Sequence, residues 1–188
     1  RLDRTTLEIR RRVLGEDHPD TLKSLNAVAG ALFERGAYAD AATLYDQAHS
    51  TARRVLGETH PHTLSLGSNL AAAYLELGQY PKAEALLREV VDGKTRVFGP
   101  EHADTAVSVH NLGVTLAQQA RYEEASEQLL KAIAVRARLP GDMRDYNFSR
   151  SYLADVCREQ GRLEEAEALY LTTVKDQRDR YGPEDPET

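Results

Sequence analysis

Apolar residues along this chain recur at three- and four-residue steps, interrupted by short polar segments that carry glycine. In one stretch Leu66, Leu70, Ala73, Tyr74 and Leu77 fall at i, i+4, i+7, i+8 and i+11, and after Gly78-Gln79 the spacing resumes with Ala83, Leu86, Leu87, Val90 and Val91. This is the period of a helix with one buried face. Two such helices joined by so short a break form an antiparallel hairpin. The pattern also repeats: Gly15-Glu16-Asp17-His18-Pro19-Asp20-Thr21-Leu22 returns as Gly57-Glu58-Thr59-His60-Pro61-His62-Thr63-Leu64 and as Gly99-Pro100-Glu101-His102-Ala103-Asp104-Thr105-Ala106, each 42 positions after the last. Gly36-Ala37-Tyr38, Gly78-Gln79-Tyr80 and Ala120-Arg121-Tyr122 keep the same period, and Gly161-Arg162-Leu163 follows at 41. The residue lost from the fourth copy is expected in the loop from Pro140 to Tyr146.

Each repeat predicts two helices. Helix A is expected at 21–35, 63–77, 105–119 and 147–160, and helix B at 38–56, 80–98, 122–138 and 163–181. Asp20 and Thr21 carry oxygens suited to cap the first helix A, with Pro19 and Pro61 just before the cap. Gly36, Gly78 and Gly161 stand where helix A should stop in a left-handed residue. Ala120 holds the same place without that freedom, which predicts a strained or differently built turn. The organisation is one array over 1–188: the end of a preceding repeat (1–14), four repeats (15–56, 57–98, 99–140, 141–181) and a linker into a further one (182–188). A single hairpin cannot bury its faces, so neighbours must stack into an all-α solenoid.

The residues at the closest helix approaches point to a repeat type. The third repeat carries Val109, Leu112-Gly113, Leu116, Ala125 and Leu129, and the first carries Leu25, Val28-Ala29, Leu32, Ala41 and Tyr45. The second has Leu70-Ala71, Tyr74, Ala83 and Leu87, and the fourth Leu153-Ala154, Cys157, Ala166 and Tyr170. This resembles the tetratricopeptide repeat. A plain unit has about 34 residues, so the extra eight or so extend helix B by two turns, about 12 Å. The longer unit, with its Gly-Glu-x-His-Pro-x-Thr linker, resembles the kinesin-light-chain type and is similar to repeat arrays of large bacterial multidomain proteins. The resemblance implies a right-handed superhelical solenoid of antiparallel helix pairs. It also implies a non-catalytic protein–protein interaction scaffold that takes a peptide or protein segment on the concave face lined by helix A.

On that face the resemblance places Lys23, Asn26, Phe33, Asn69, Leu75, His110, Asn111, Val114, Tyr152 and Arg158 as peptide-binding residues, with Phe148 nearby. Asn26, Asn69 and Asn111 match asparagines that hold a peptide main chain, since an amide both donates and accepts. The other reading of these residues is hydrogen bonding across adjacent repeats. Lys23 and Arg158 face Glu34, Glu76, Asp155 and Glu159, so an acidic ligand is not expected. Phe33, Leu75, Val114 and Phe148 suit a mixed peptide or a short amphipathic helix instead.

Composition narrows the classes further. A net charge of −6 and a pI near 5.6 argue against nucleic acid as partner. One cysteine, Cys157, allows no internal disulfide; it holds a place that is apolar in the other copies, so a buried thiol is expected. No apolar run approaches a membrane span. His18, His60 and His102 recur once per repeat, too far apart to share an ion, and read as linker structure with no metal and no cofactor. Glu123-Glu124 and Glu164-Glu165 suit the positive end of helix B, and Arg10-Arg11-Arg12 and Arg53-Arg54 its negative end. A phosphate or acidic partner at the latter is the functional alternative. No glycine-rich phosphate loop or nucleophile turn is present, so no enzyme is expected. The chain opens on Arg1, and its one methionine is Met143. A piece of a longer cytoplasmic protein is expected. Exposed end faces would then allow self-association. The alternative role is a structural or self-assembling array that positions or regulates an attached catalytic or signalling domain.

Overall fold

A computed structural model describes residues 4–139 and 144–181, the side chains of Arg144, Arg180 and Tyr181 excepted. Residues 140–143 of the expected deletion loop and the expected linker at 182–188 lie outside the described residues. Within them all regular structure is helical: α1 (Arg4–Leu14), α2 (Pro19–Glu34), α3 (Tyr38–Leu56), α4 (Pro61–Glu76), α5 (Tyr80–Phe98), α6 (Ala103–Gln118), α7 (Tyr122–Arg136), α8 (Arg144–Glu159) and α9 (Leu163–Tyr181). The chain divides into two compact units, Arg1–Gly99 with α1 to α5 and Pro100–Thr188 with α6 to α9. In each, every helix packs on the next in sequence, as expected of an all-α helical-repeat solenoid.

The helix B boundaries lie where the periodicity puts them, α7 ending two residues early. The helix A starts require a correction. They begin two residues before the expected positions because the cap is the repeated histidine, not Asp20 or Thr21. His18, His60 and His102 have extended backbone, and each Nδ1 accepts the N–H two residues on, at 3.1 Å. Pro19 and Pro61 are thus first-turn residues, where a fixed φ and a missing N–H are assets. Thr21 is buried and its hydroxyl donates to the Gly15 carbonyl at 2.8 Å. The fourth helix A, α8, starts at Arg144 and takes up part of the expected loop.

Helix A ends alike in all four copies. In the first, the Ala37 N–H donates to Leu32 O and the Gly36 N–H to Phe33 O, both at 2.9 Å. The same pair of bonds closes α4, α6 and α8, a Schellman turn that needs one left-handed residue. That residue is Gly36 (φ 76°), Gly78 (68°), Gly161 (75°) and Ala120 (57°), so of the two expectations for Ala120 the strained turn is the one found.

The first unit's core is built from Leu22, Leu25, Ala29, Tyr45, Ala48, Leu66, Leu70 and Ala73. In the second, Leu116, Leu129, Leu153, Ala154, Cys157 and Ala166 are buried. Each buried leucine contributes roughly 1.5–3 kcal/mol. The small residues mark close approaches: a Cβ on Gly113 would come within 2.9 Å of Leu129 Cγ.

Candidate functional site

The helix A face of the first unit is carried by α2 and α4. Here Asn69 Nδ2 donates to Asn26 Oδ1 at 2.9 Å. The two asparagines are 43 positions apart, not 42, so they do not form one row. Ser68 shares the register of Asn26, and Asn69 shares that of Ala27 and Asn111. Asn26 and Asn69 form a diagonal pair between neighbouring helices A, the hydrogen bonding across adjacent repeats that was the other reading of these residues. Lys23 is exposed and pairs with Asp20 at 3.2 Å. Phe33 is half-buried, edge-on to Tyr38 with centroids 5.1 Å apart, and Leu75 is half-buried.

The second unit presents a different surface on α6 and α8. His110 and Val114, expected to face a ligand, are only 3% and 6% exposed. Rings from α8 lie against His110: centroid distances are 5.2 Å to Phe148, 5.4 Å to Tyr152, and 5.0 Å between Phe148 and Tyr152. The two edge-on contacts of Tyr152 are favourable at these distances, and His110 meets Phe148 at a tilt of 40°. Phe148 remains 55% exposed at the outer corner of this triangle, while Asn111 and Tyr152 are half-buried. From below, Ser149 Oγ lies 3.0 Å from His110 Nδ1 and accepts from the Arg136 guanidinium. Burial, with a smaller push from Arg136, lowers the His110 pKa to about 4. The ring is therefore neutral near pH 7 and serves as a seat for the aromatic pair.

Next to Tyr152 is a cavity of about 420 Å³, lined by Ala117, Gln118, Ala120, Tyr122, Tyr152, Asp155, Val156, Arg158 and Glu159. Arg158 is exposed and pairs with Asp155 at 3.3 Å and with Glu159 at 3.2 Å. Asp155 also accepts from the Tyr170 hydroxyl, and burial together with that bond pushes the phenol up to about 12. The structure thus brings Tyr152 and Arg158 together in this cavity, beside the ring cluster.

A second polar cluster was not foreseen. Arg150, only 5% exposed, donates to Thr173 Oγ1 (2.7 Å), Asn147 Oδ1 (3.0 Å) and Asp176 (2.8 Å) and stacks over Tyr146. The signal was in the register. Asn147 stands where the first two repeats have Leu22 and Leu64, and Arg150 where they have Leu25 and Gly67.

Most of the late helix B cations are engaged within the chain. Arg53 pairs with Glu58 (2.6 Å), Arg54 with Asp17 (2.5 Å), Arg138 with Glu101 (2.7 Å) and Arg11 with Glu16 (3.1 Å), while Arg10 donates to Ser24 Oγ at 2.7 Å. These partners leave little for a phosphate to gain there. Cys157 is buried, and burial raises its thiol pKa. Among the described residues no cluster of three or more His, Cys, Asp or Glu could hold a metal ion, and no helix is long and apolar enough to cross a membrane.

Comparison with known proteins agrees with the repeat architecture. A tetratricopeptide repeat model matches residues 1–49, 24–96 and 64–138, and a second one matches 110–183. The TPR-like repeats of a kinesin-light-chain protein from Podosopora anserina are 26% identical, over 93% of this chain and 83% of that chain, with a TM-score of 0.81. BtubC (BKLC) from P. vanneervenii is 24% identical over 97% of this chain and 73% of that one, with a TM-score of 0.85. MamA from Desulfovibrio magneticus RS-1 is 18% identical over 94% and 89%, at 0.67. The latter two likenesses concern the fold alone. No curated protein matches the chain.

Proposed function

This chain belongs to the tetratricopeptide repeat family, with repeats of the kinesin-light-chain-like type, and from that premise we propose that it binds a peptide or protein segment on its helix A face, as a module of a larger protein. The repeat fold is that of a protein–protein interaction scaffold. The finer reading concerns where the partner sits. The observation that carries it is Phe148, a phenyl ring 55% exposed yet held by two neighbouring rings. A large apolar side chain that is both exposed and fixed loses little freedom on binding and gains from desolvation, the profile of an interface anchor. The adjoining cavity supplies polar groups from Gln118, Asp155, Arg158 and Glu159. Lys23, Asn26, Phe33, Asn69 and Leu75 are candidate contacts of the first unit taken by itself, Asn111 is one of the second, and the buried His110 and Val114 support the second unit's surface from within.

The test is panning of a random peptide library displayed on phage against the protein and against Phe148→Ser. Enrichment by the parent that is lost with Phe148→Ser supports the reading. Equal enrichment by both proteins removes the site from this face. A second reading, self-association, draws on the exposed Leu171 (64%) and Val174 (39%) of α9. Light scattering over a concentration series decides it, and a mass that stays that of one chain throughout rules it out.

A further inference from the structure

We infer that the segment taken by this face is an apolar-plus-basic one: a large apolar side chain on Phe148 and Tyr152, and a lysine or arginine a few residues along whose cation enters the cavity beside Tyr152. This rests on the helix A reading above and specifies the partner's chemistry. Tyr152 belongs both to the ring cluster and to the cavity wall, so the two subsites are continuous. The cavity end is acidic. Asp155 and Glu159 line it. One cation, Arg158, pairs with both, so the lining carries one carboxylate more than it has cations. The other nearby cations, Arg121 and Arg162, are matched by Glu124 and Glu165. Tyr122 and Tyr152 line the wall, and aromatic side chains suit a cation as well as a methylene chain. An acidic segment would meet surplus carboxylate here and is disfavoured.

The helix sets the spacing. Phe148 and Asp155 are seven residues apart on α8, and Phe148 and Glu159 eleven. At about 1.5 Å per residue this is roughly 10 to 17 Å. An extended peptide covers that span in about three to five residues.

The test uses the random peptide library panned on the whole chain, then synthetic peptides from the enriched set measured by fluorescence polarisation. The proteins are the parent, Phe148→Ser, and the isosteric double variant Asp155→Asn with Glu159→Gln, each checked by circular dichroism. The expected consensus is an aromatic or aliphatic residue followed or preceded at about three to five positions by Lys or Arg. The double variant is expected to weaken binding about 5- to 10-fold at low salt, with the difference shrinking in added salt. A consensus without a basic residue, or unchanged affinity in the double variant while Phe148→Ser still abolishes binding, overturns the inference alone. No enrichment, or binding indifferent to Phe148→Ser, overturns the helix A reading and the inference with it.

Discussion

Ala120→Gly is expected to stabilise this protein, and the repeat supplies its own control. Four helices A end in the same pair of turn bonds, and the left-handed residue is glycine three times and alanine once, at φ 57°. An alanine in that region is raised by about 1–2 kcal/mol through its Cβ. Glycine avoids this but costs roughly 0.5–1 kcal/mol more conformational entropy on folding. The balance favours Ala120→Gly by about 0.5–1 kcal/mol, or roughly 1–4 °C in melting temperature for a chain of this size. The reverse change, Gly78→Ala, isolates the backbone effect, because a Cβ there would meet no atom within 4 Å. It is expected to lower stability by about 1 kcal/mol. Thermal melts followed by circular dichroism measure both. Exchange rates of the Ala120 and Arg121 amides, which donate to Ala117 and Leu116, report the turn itself and should slow in Ala120→Gly. If Ala120→Gly is neutral or destabilising while Gly78→Ala costs the expected amount, the account of this turn is wrong.

The histidine cap predicts that His60→Ala lowers stability by about 1 kcal/mol while His60→Asn, whose carbonyl can take the same N–H, restores most of it in the same melts. His110 predicts a pH effect of definite sign. Its pKa is depressed from 6.5 to about 4, so the unfolded chain takes up a proton that the folded chain refuses; its contribution is intact above about pH 6.5 and is lost as pH falls toward 4, up to about 3 kcal/mol in all. Urea denaturation of the parent and His110→Gln at pH 7 and 4.5 should show a smaller acid loss in the variant, and equal losses would contradict the buried neutral ring. For the Asn26–Asn69 bond, a double-mutant cycle with alanine should give a coupling of about 0.5–1.5 kcal/mol in stability, and zero coupling would return both amides to the ligand-contact reading.

Much of this fold was legible because helical periodicity and a 42-residue repeat are local signals. The helix B bounds, the left-handed Ala120 and the buried Cys157 follow from spacing alone. The caps did not, because histidine is outside the usual N-cap set and the adjacent Asp20 and Thr21 offered better-known oxygens. The pairing of Asn26 with Asn69 turns on a single residue of register: they are 43 apart, and one step around a helix turns a side chain by about 100°. His110 and Val114 map to the helix A face by position, yet both are buried, His110 because Phe148, Ser149 and Tyr152 of α8 lie against it. That is a long-range fact with no periodic trace. The same is true of Arg136, Ser149 and His110, which come from three helices.

The most direct test of the central claim compares two similarly exposed apolar side chains on different helices. Phe148 on helix A and Leu130 on helix B are 55% and 54% exposed, so replacing either by serine is expected to leave the fold intact, with Phe148→Ser losing about 1 kcal/mol or more of ring packing. Affinity of a library-selected peptide for the parent, Phe148→Ser and Leu130→Ser separates the faces by fluorescence polarisation. The account predicts a loss of about tenfold or more for Phe148→Ser, the scale of an interface anchor, and no appreciable change for Leu130→Ser. Loss with Leu130→Ser and indifference to Phe148→Ser would contradict it.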